Sequence, residues 1–110
     1  MNFNEYQELA RRTQNPALTI AQKEAHALHG MASEVGEIHA IYQKVYQGHD
    51  MNYQKVIDEM SDLLWFVAEL CDTIGIDLAS VAQYNIDKLR KRYPEGFDAD
   101  RSLHRPGESA

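Results

Sequence analysis

Cysteine occurs once in these 110 residues, at Cys71. The chain therefore forms no internal disulfide and no cysteine-built zinc cage. No apolar run approaches the roughly 18 residues needed to cross a bilayer. The start, Met1-Asn2-Phe3-Asn4-Glu5, lacks the basic residues and apolar stretch of an export signal. A cytoplasmic protein, with any metal held by oxygen, is the expectation. Basic residues are also scarce: 11 Lys and Arg stand against 17 Asp and Glu, for a net charge of -6. That balance argues against a nucleic-acid backbone binder, which gains affinity by neutralising many phosphates. The length suits one domain and is too short for two.

The acid that is present is unevenly placed. From Glu24 to Asp77 ten acidic residues meet two basic ones, a local charge of -8, whereas the remainder carries +2. Just beyond that stretch, Lys88, Arg90, Lys91 and Arg92 put four cations in five positions. A cation-attracting middle followed by an anion-attracting segment suits a metal-phosphate ligand. A solvated acidic face beside a basic helix end would have the same composition.

Helix punctuation organises the chain. A first helix is expected over 4–14, stopped at Asn15-Pro16. Thr19 and Gln22 form a capping-box pattern, opening a second helix that can run to Gln47 and stop at Gly48. Asp50 or Asn52 can cap a third, ended by Gly75, and Asp77 a fourth, ended near Tyr93-Pro94. The two long helices, joined by a tight turn, predict an antiparallel hairpin that the shorter two complete as an all-α, four-helix-bundle-like domain over 1–97. From Asp98 to Ala110 no periodicity appears, and a loose tail is expected; Arg101 and Arg105 within it could reach a neighbouring site.

Acidic pairs at i, i+3 occur five times: Glu5/Glu8, Glu34/Glu37, Glu59/Asp62, Glu69/Asp72 and Glu95/Asp98. Spacing alone thus selects no site, and position on the helical wheel is the better guide. On the second helix Ala25, Leu28, Met31, Ala32, Val35, Ile38, Tyr42 and Val45 share an apolar arc, with Glu34 on its flank and Glu37 at the rim. On the third, Val56, Met60, Leu63, Val67, Leu70, Cys71 and Ile74 define the apolar face; Glu59 lies inside it and Asp62 at its rim. Glu69/Asp72 points the other way and is expected to face solvent. Four carboxylates converging between two helices cannot all remain ionised without cations. An all-oxygen donor set points to Mg²⁺ or Mn²⁺. On the fourth helix Asn85 falls near the centre of an apolar arc of Leu78, Val81, Ala82, Ile86 and Leu89, and Lys88 and Arg92 follow along one edge. A buried Asn needs partners, and the flanking cations suit an anion.

In order, Glu34-Val-Gly-Glu37, Glu59-Met-Ser-Asp62 and Asn85-Ile-Asp-Lys88-Leu-Arg-Lys-Arg92-Tyr-Pro-Glu-Gly-Phe97 resemble the MazG-like nucleotide pyrophosphohydrolases of the all-α NTP pyrophosphatase superfamily. The match runs from about Thr19 to Phe97. The resemblance implies a Mg²⁺-dependent hydrolase, Mn²⁺ being an alternative, that cuts nucleoside triphosphates between the α and β phosphates. It matches Glu34, Glu37, Glu59 and Asp62 to metal ligands, Lys88 and Arg92 to phosphate-binding positions, and Asn85 to a polar position near the nucleotide. It also implies a homodimer or homotetramer. Ser33 stands where many relatives carry another acid. Glu37 is the candidate to take the proton of the attacking water.

Other features have simpler explanations. Trp65 falls on the polar side of its helix, where it could stack on a base, and is expected at a subunit contact. His26-Ala-Leu-His29 has helical ligand spacing, and His49-Asp50 sits in a turn rather than on the helix an HD phosphohydrolase requires. No His follows an acid by three residues, which excludes a ferritin-like di-iron pattern. Cys71 is expected in the core, and Gly36 at a close helix approach. The rival to the enzyme is a non-catalytic helical module that binds a partner protein, but a scaffold has no reason to place Glu34 and Glu59 on apolar arcs.

Overall fold

The computed structural model describes residues 1–104, and its named elements are all helices. Helix α1 (Phe3–Arg11) starts where the Asn2 side chain accepts from the Glu5 N–H at 2.8 Å. Helix α2 (Ile20–Val45) opens with the expected capping box: Gln22 N–H donates to Thr19 Oγ1 and Thr19 N–H to Gln22 Oε1. Helix α3 (Tyr53–Ile74) is capped by Asn52, not Asp50. It ends at Gly75, whose φ of 77° lets the Gly75 and Ile76 N–H groups turn back to the Asp72 and Cys71 carbonyls. Helix α4 spans Leu78–Arg92. A fifth, short helix, α5 (Ala99–Leu103), forms inside the segment expected to be a loose tail, because Asp98 accepts from the Asp100 and Arg101 N–H groups and supplies a cap that periodicity does not reveal. Residues 105–110, with Arg105, lie outside the described residues.

The chain divides into two compact units, Met1–Leu78 and a second beginning at Ala79. In the first, α3 packs against both α2 and α1. Interhelical partners descend α3 as they ascend α2, from His26 with Glu69 to Glu34 with Glu59, so the hairpin is antiparallel as expected. The glycine of close approach is Gly30 and not Gly36. A Cβ at Gly30 would overlap the Phe66 ring, whereas one at Gly36 meets nothing. Ala68, Cys71 and Leu78 form the core cluster, with Tyr6, Leu64 and Val67 packed on it.

Gln7 ties α1 to the end of α3. It is 2% exposed and both ends of its amide are engaged: Nε2 donates to Asp72 Oδ1 and the Ile76 carbonyl, and Oε1 accepts from the Leu78 N–H. The expectation that Glu69/Asp72 faces solvent is therefore overturned. Asp72 accepts from Gln7, Arg11 and Gln14, and Glu69 is buried. Asp72 is met from α1 and by Gln14, and Glu69 by His26 of α2, tertiary contacts the helical wheel of α3 does not encode.

Of the apolar arc read on α2 only Met31 and Ile38 are half-buried, while Ala25, Leu28, Ala32, Val35, Tyr42 and Val45 are exposed; the covered stripe is Ala27, Gly30, Met31, Glu34, Ile38 and Ile41. Met60 and Ile74 on α3 are likewise exposed. An arc wider than a single helix contact leaves a flank open when the helix has one neighbour. In the second unit Val81, Asn85, Ile86 and Leu89 of α4 are exposed, and the Tyr93 and Phe97 rings lie 5.6 Å apart.

Candidate metal centre

Glu34 sits on the stripe of α2 that packs on α3, and Glu59 and Asp62 present themselves one turn apart on the facing helix. One carboxylate oxygen from each of the three lies within 4.8 Å of the other two. Glu34 and Glu59 are half-buried and Asp62 is exposed, so the group opens to solvent on one side. The Glu34 carboxyl is pushed up to about 7, first by sharing a hydrogen bond with Glu59, then by burial, then by the charges of Glu59, Asp62 and Glu37. Its Oε2 is buried without a hydrogen-bond partner.

These facts test whether a divalent cation suits the site. Three hard oxygen donors gathered at this separation match Mg²⁺ or Mn²⁺ chemistry. The shared proton and the unpartnered Oε2 mark positive charge that the protein itself leaves unsupplied between Glu34 and Glu59. The residues fit a cation.

Of the four carboxylates expected to converge, the structure groups three. Glu37, one turn beyond Glu34, is exposed and lines a polar recess of about 240 Å³ with Lys44, His49, Asp50, Asn52 and Lys55. It remains near enough for its charge to raise Glu34. Lys88 and Arg92 are half-buried on α4, with Lys88 Nζ 5.5 Å from the Tyr84 ring centroid. Asn85, expected near the centre of an apolar arc, is exposed.

Two turns along the hairpin from the acidic group lies a second polar pair that wheel analysis did not single out. His26 Nδ1 is 2.7 Å from Glu69 Oε1. The His26 ring meets the edges of Trp65 and Phe66, with centroids 6.3 and 5.5 Å away. Trp65, expected at a subunit contact, makes contacts within the chain, and its indole N–H donates to Thr13 Oγ1 at 2.7 Å. The signal that could have exposed Glu69 was the hydrophobicity around it, Leu64 to Leu70, which leaves little of α3 for water there.

The sequence profile of the MazG nucleotide pyrophosphohydrolase domain matches residues 22–97, a span that contains all seven expected site residues. The chain belongs to this family. It is 31% identical over 72 residues to the Gene 37 protein of Mycobacterium phage L5, covering 61% of this chain and 63% of that one. The chain thus spans under two thirds of the length of that curated relative. No solved structure matches it. Within the family match, the E-x-x-E and E-x-x-D spacings fall where α2 and α3 face one another. The all-α fold and the family resemblance read from the sequence both hold. Among the described residues no helix is long and apolar enough to cross a membrane.

Proposed function

We propose that this MazG-family chain is a divalent-cation-dependent pyrophosphohydrolase that cuts nucleoside triphosphates between the α and β phosphates, releasing a nucleoside monophosphate and pyrophosphate. The observation that carries this is the grouping of Glu34, Glu59 and Asp62 across the α2–α3 contact, with Glu34 holding a proton up to about 7. Those three, joined by Glu37, would hold Mg²⁺, with Mn²⁺ as the alternative. The bound cation would neutralise phosphate oxygens and acidify a water.

The chain's own residues divide the remaining work. Glu37 is the most exposed glutamate beside the group, and takes the proton of the attacking water. Lys88 and Arg92 occupy the family's phosphate-binding positions and stabilise charge on the departing pyrophosphate. Asn85 hydrogen-bonds the nucleotide. Residues 1–97 act as one catalytic module in the cytoplasm. Leu28, Val35, Tyr42 and Val45, exposed along one side of α2, form the contact between copies in a homodimer or homotetramer.

Pyrophosphate release from a panel of NTPs and dNTPs, with Mg²⁺ and with EDTA, tests the proposal. Glu59→Gln and Asp62→Asn are expected to abolish turnover while the helical circular-dichroism signal is kept. Full activity in both variants would end it. A complete lack of Mg²⁺-dependent hydrolysis, with no Mg²⁺-dependent thermal shift, would favour the non-catalytic interaction module.

A further inference from the structure

We infer that His26, held by the buried carboxylate of Glu69, is a specificity-determining residue that reads the base of the substrate nucleotide and favours bases with an exocyclic amino group, cytosine and adenine, over uracil and thymine. The inference rests on the nucleotide-hydrolase proposal above, and deepens it at a place two helical turns from the acidic group.

Glu69 is the largest fully buried side chain among the described residues, at 1% exposure. A carboxylate this deep is costly unless bonded. Its Oε1 is engaged by His26 Nδ1 at 2.7 Å, and its Oε2 is buried with no partner. The Thr73 hydroxyl, one turn on along α3, is spent on the Glu69 main-chain carbonyl. As a tie between two helices such a pair is poor, because apolar residues of like volume commonly stabilise as well or better. What the pair does achieve is orientation. The imidazole is fixed by Glu69 and bounded by the edges of Trp65 and Phe66, and Trp65 is itself tethered to Thr13. Yet the His26 side chain is 48% exposed, and no hydrogen bond within the described residues engages its Nε2. In the neutral ring with Nδ1–H donating to the carboxylate, Nε2 is left as a lone-pair acceptor on a half-exposed side chain. Such an acceptor matches an amino donor and opposes a carbonyl.

Placement agrees with this role. Asp62 and Glu69 are seven residues apart, which brings them to one face of α3 about 10 Å from each other; His26 and Glu34 are eight apart on α2, about 12 Å. A nucleotide anchored by its phosphates at the acidic group reaches that far with its base. Between the two places along the hairpin lies the apolar Gly30–Phe66 contact. Trp65 and Phe66 add aromatic surface beside the imidazole, suited to a base.

The test measures kcat and KM for dCTP, dATP, dUTP and dTTP with Mg²⁺ in the wild type, in Glu69→Gln and in the double variant His26→Leu/Glu69→Met. The double variant replaces both polar groups with apolar ones of similar volume, and its folding is checked by circular dichroism. Where it is unstable, His26→Asn takes its place, since the amide can still donate to Glu69. The wild type is expected to prefer dCTP and dATP by about tenfold or more in kcat/KM, carried by KM. In the double variant, or in His26→Asn, the KM values for dCTP and dATP rise to meet those for dUTP and dTTP. Glu69→Gln, whose carbonyl still accepts from Nδ1–H, falls between. A folded variant that keeps the wild-type preference, or a wild type that prefers uracil and thymine or none, overturns the inference and leaves the hydrolase proposal standing. A wild type inactive on all four nucleotides overturns the hydrolase proposal, and this one with it.

Discussion

Replacing Glu34 by Gln is expected to stabilise the cation-free protein while removing its response to Mg²⁺. The Glu34 carboxyl is raised from 4.5 to about 7 in the folded chain, so between those values the native state holds a proton that the unfolded state has released. Stability therefore falls as pH rises through that window, and the loss is complete above it. At about 1.4 kcal/mol per pKa unit, the full shift corresponds to about 3.5 kcal/mol, which solvent screening at this half-buried site reduces to a penalty on the order of 2–3 kcal/mol at pH 8. Glutamine keeps the shape, can still donate to Glu59 and never ionises. For a chain of this size that difference corresponds to roughly 10 °C in Tm. Thermal unfolding followed at 222 nm in EDTA, at one protein concentration and at steps from pH 5 to pH 8, should show the variant melting about 10 °C higher at pH 8, with the gap closing towards pH 5. Addition of Mg²⁺ at pH 8 should raise the wild-type Tm by mass action and move the variant far less. A gap independent of pH, or a variant that melts below the wild type at pH 8, would refute the assignment of strain to this carboxyl.

Other perturbations act at different points of the same unit. Gly30→Ala places a methyl group in the Phe66 ring and should cost about 1–3 kcal/mol, seen as a lower urea midpoint with the slope unchanged. Gln7→Leu strips donors from Asp72 and the Ile76 carbonyl and an acceptor from the Leu78 N–H; about 2–3 kcal/mol of lost stability is expected, and a loss near zero would show that water replaces it freely. Burial alone would raise Asp72, but hydrogen bonds from Arg11, Gln7 and Gln14 hold it below its ordinary value. Its contribution is present above the ordinary carboxylate range and is lost only as pH falls through the lowered value, so Asp72→Asn should flatten the acid limb of the stability curve in titrations below pH 4. Size-exclusion chromatography with light scattering should find a dimer or tetramer, and Val35→Glu, on the exposed side of α2, should shift it towards monomer.

Local rules carried the sequence far along this chain. Helix limits depend on caps a few residues long, which is why Thr19 with Gln22 and Gly75 could be placed from spacing and the cap of α3 narrowed to Asp50 or Asn52, and why Asp98, capping a helix too short to show periodicity, could not. The Glu34, Glu59 and Asp62 grouping was legible because it needs only the wheel positions of two helices and the premise that they pack together. Glu69 and Asp72 were misjudged for the converse reason. Asp72 is met by Gln7 and Arg11 of α1 and by Gln14, and Glu69 by His26 of α2. No periodicity within α3 reports a neighbour 43 to 65 residues away in sequence. Gly36 and Gly30 make the same point at smaller scale: both lie on α2, but only the latter meets a ring from the other helix.

The α2–α3 hairpin sets carboxylates among its buried apolar side chains. Ile41 and Val56 are buried near the turn; the acids Glu34 and Glu59 follow; Gly30 and Phe66 make the next layer; His26 and Glu69 come after. Two of these layers carry charge that a hairpin chosen for stability alone would replace with leucine. Layers of this kind persist where a ligand repays them, and the spacing between them is set by the pitch of the helix, two turns or about 11 Å. A nucleotide has its own polar groups at two ends, phosphates at one and base edge at the other, separated by a sugar that needs only an apolar wall. The alternation of charge, ring and charge along one hairpin is thus the pattern that such a molecule would impose on two packed helices.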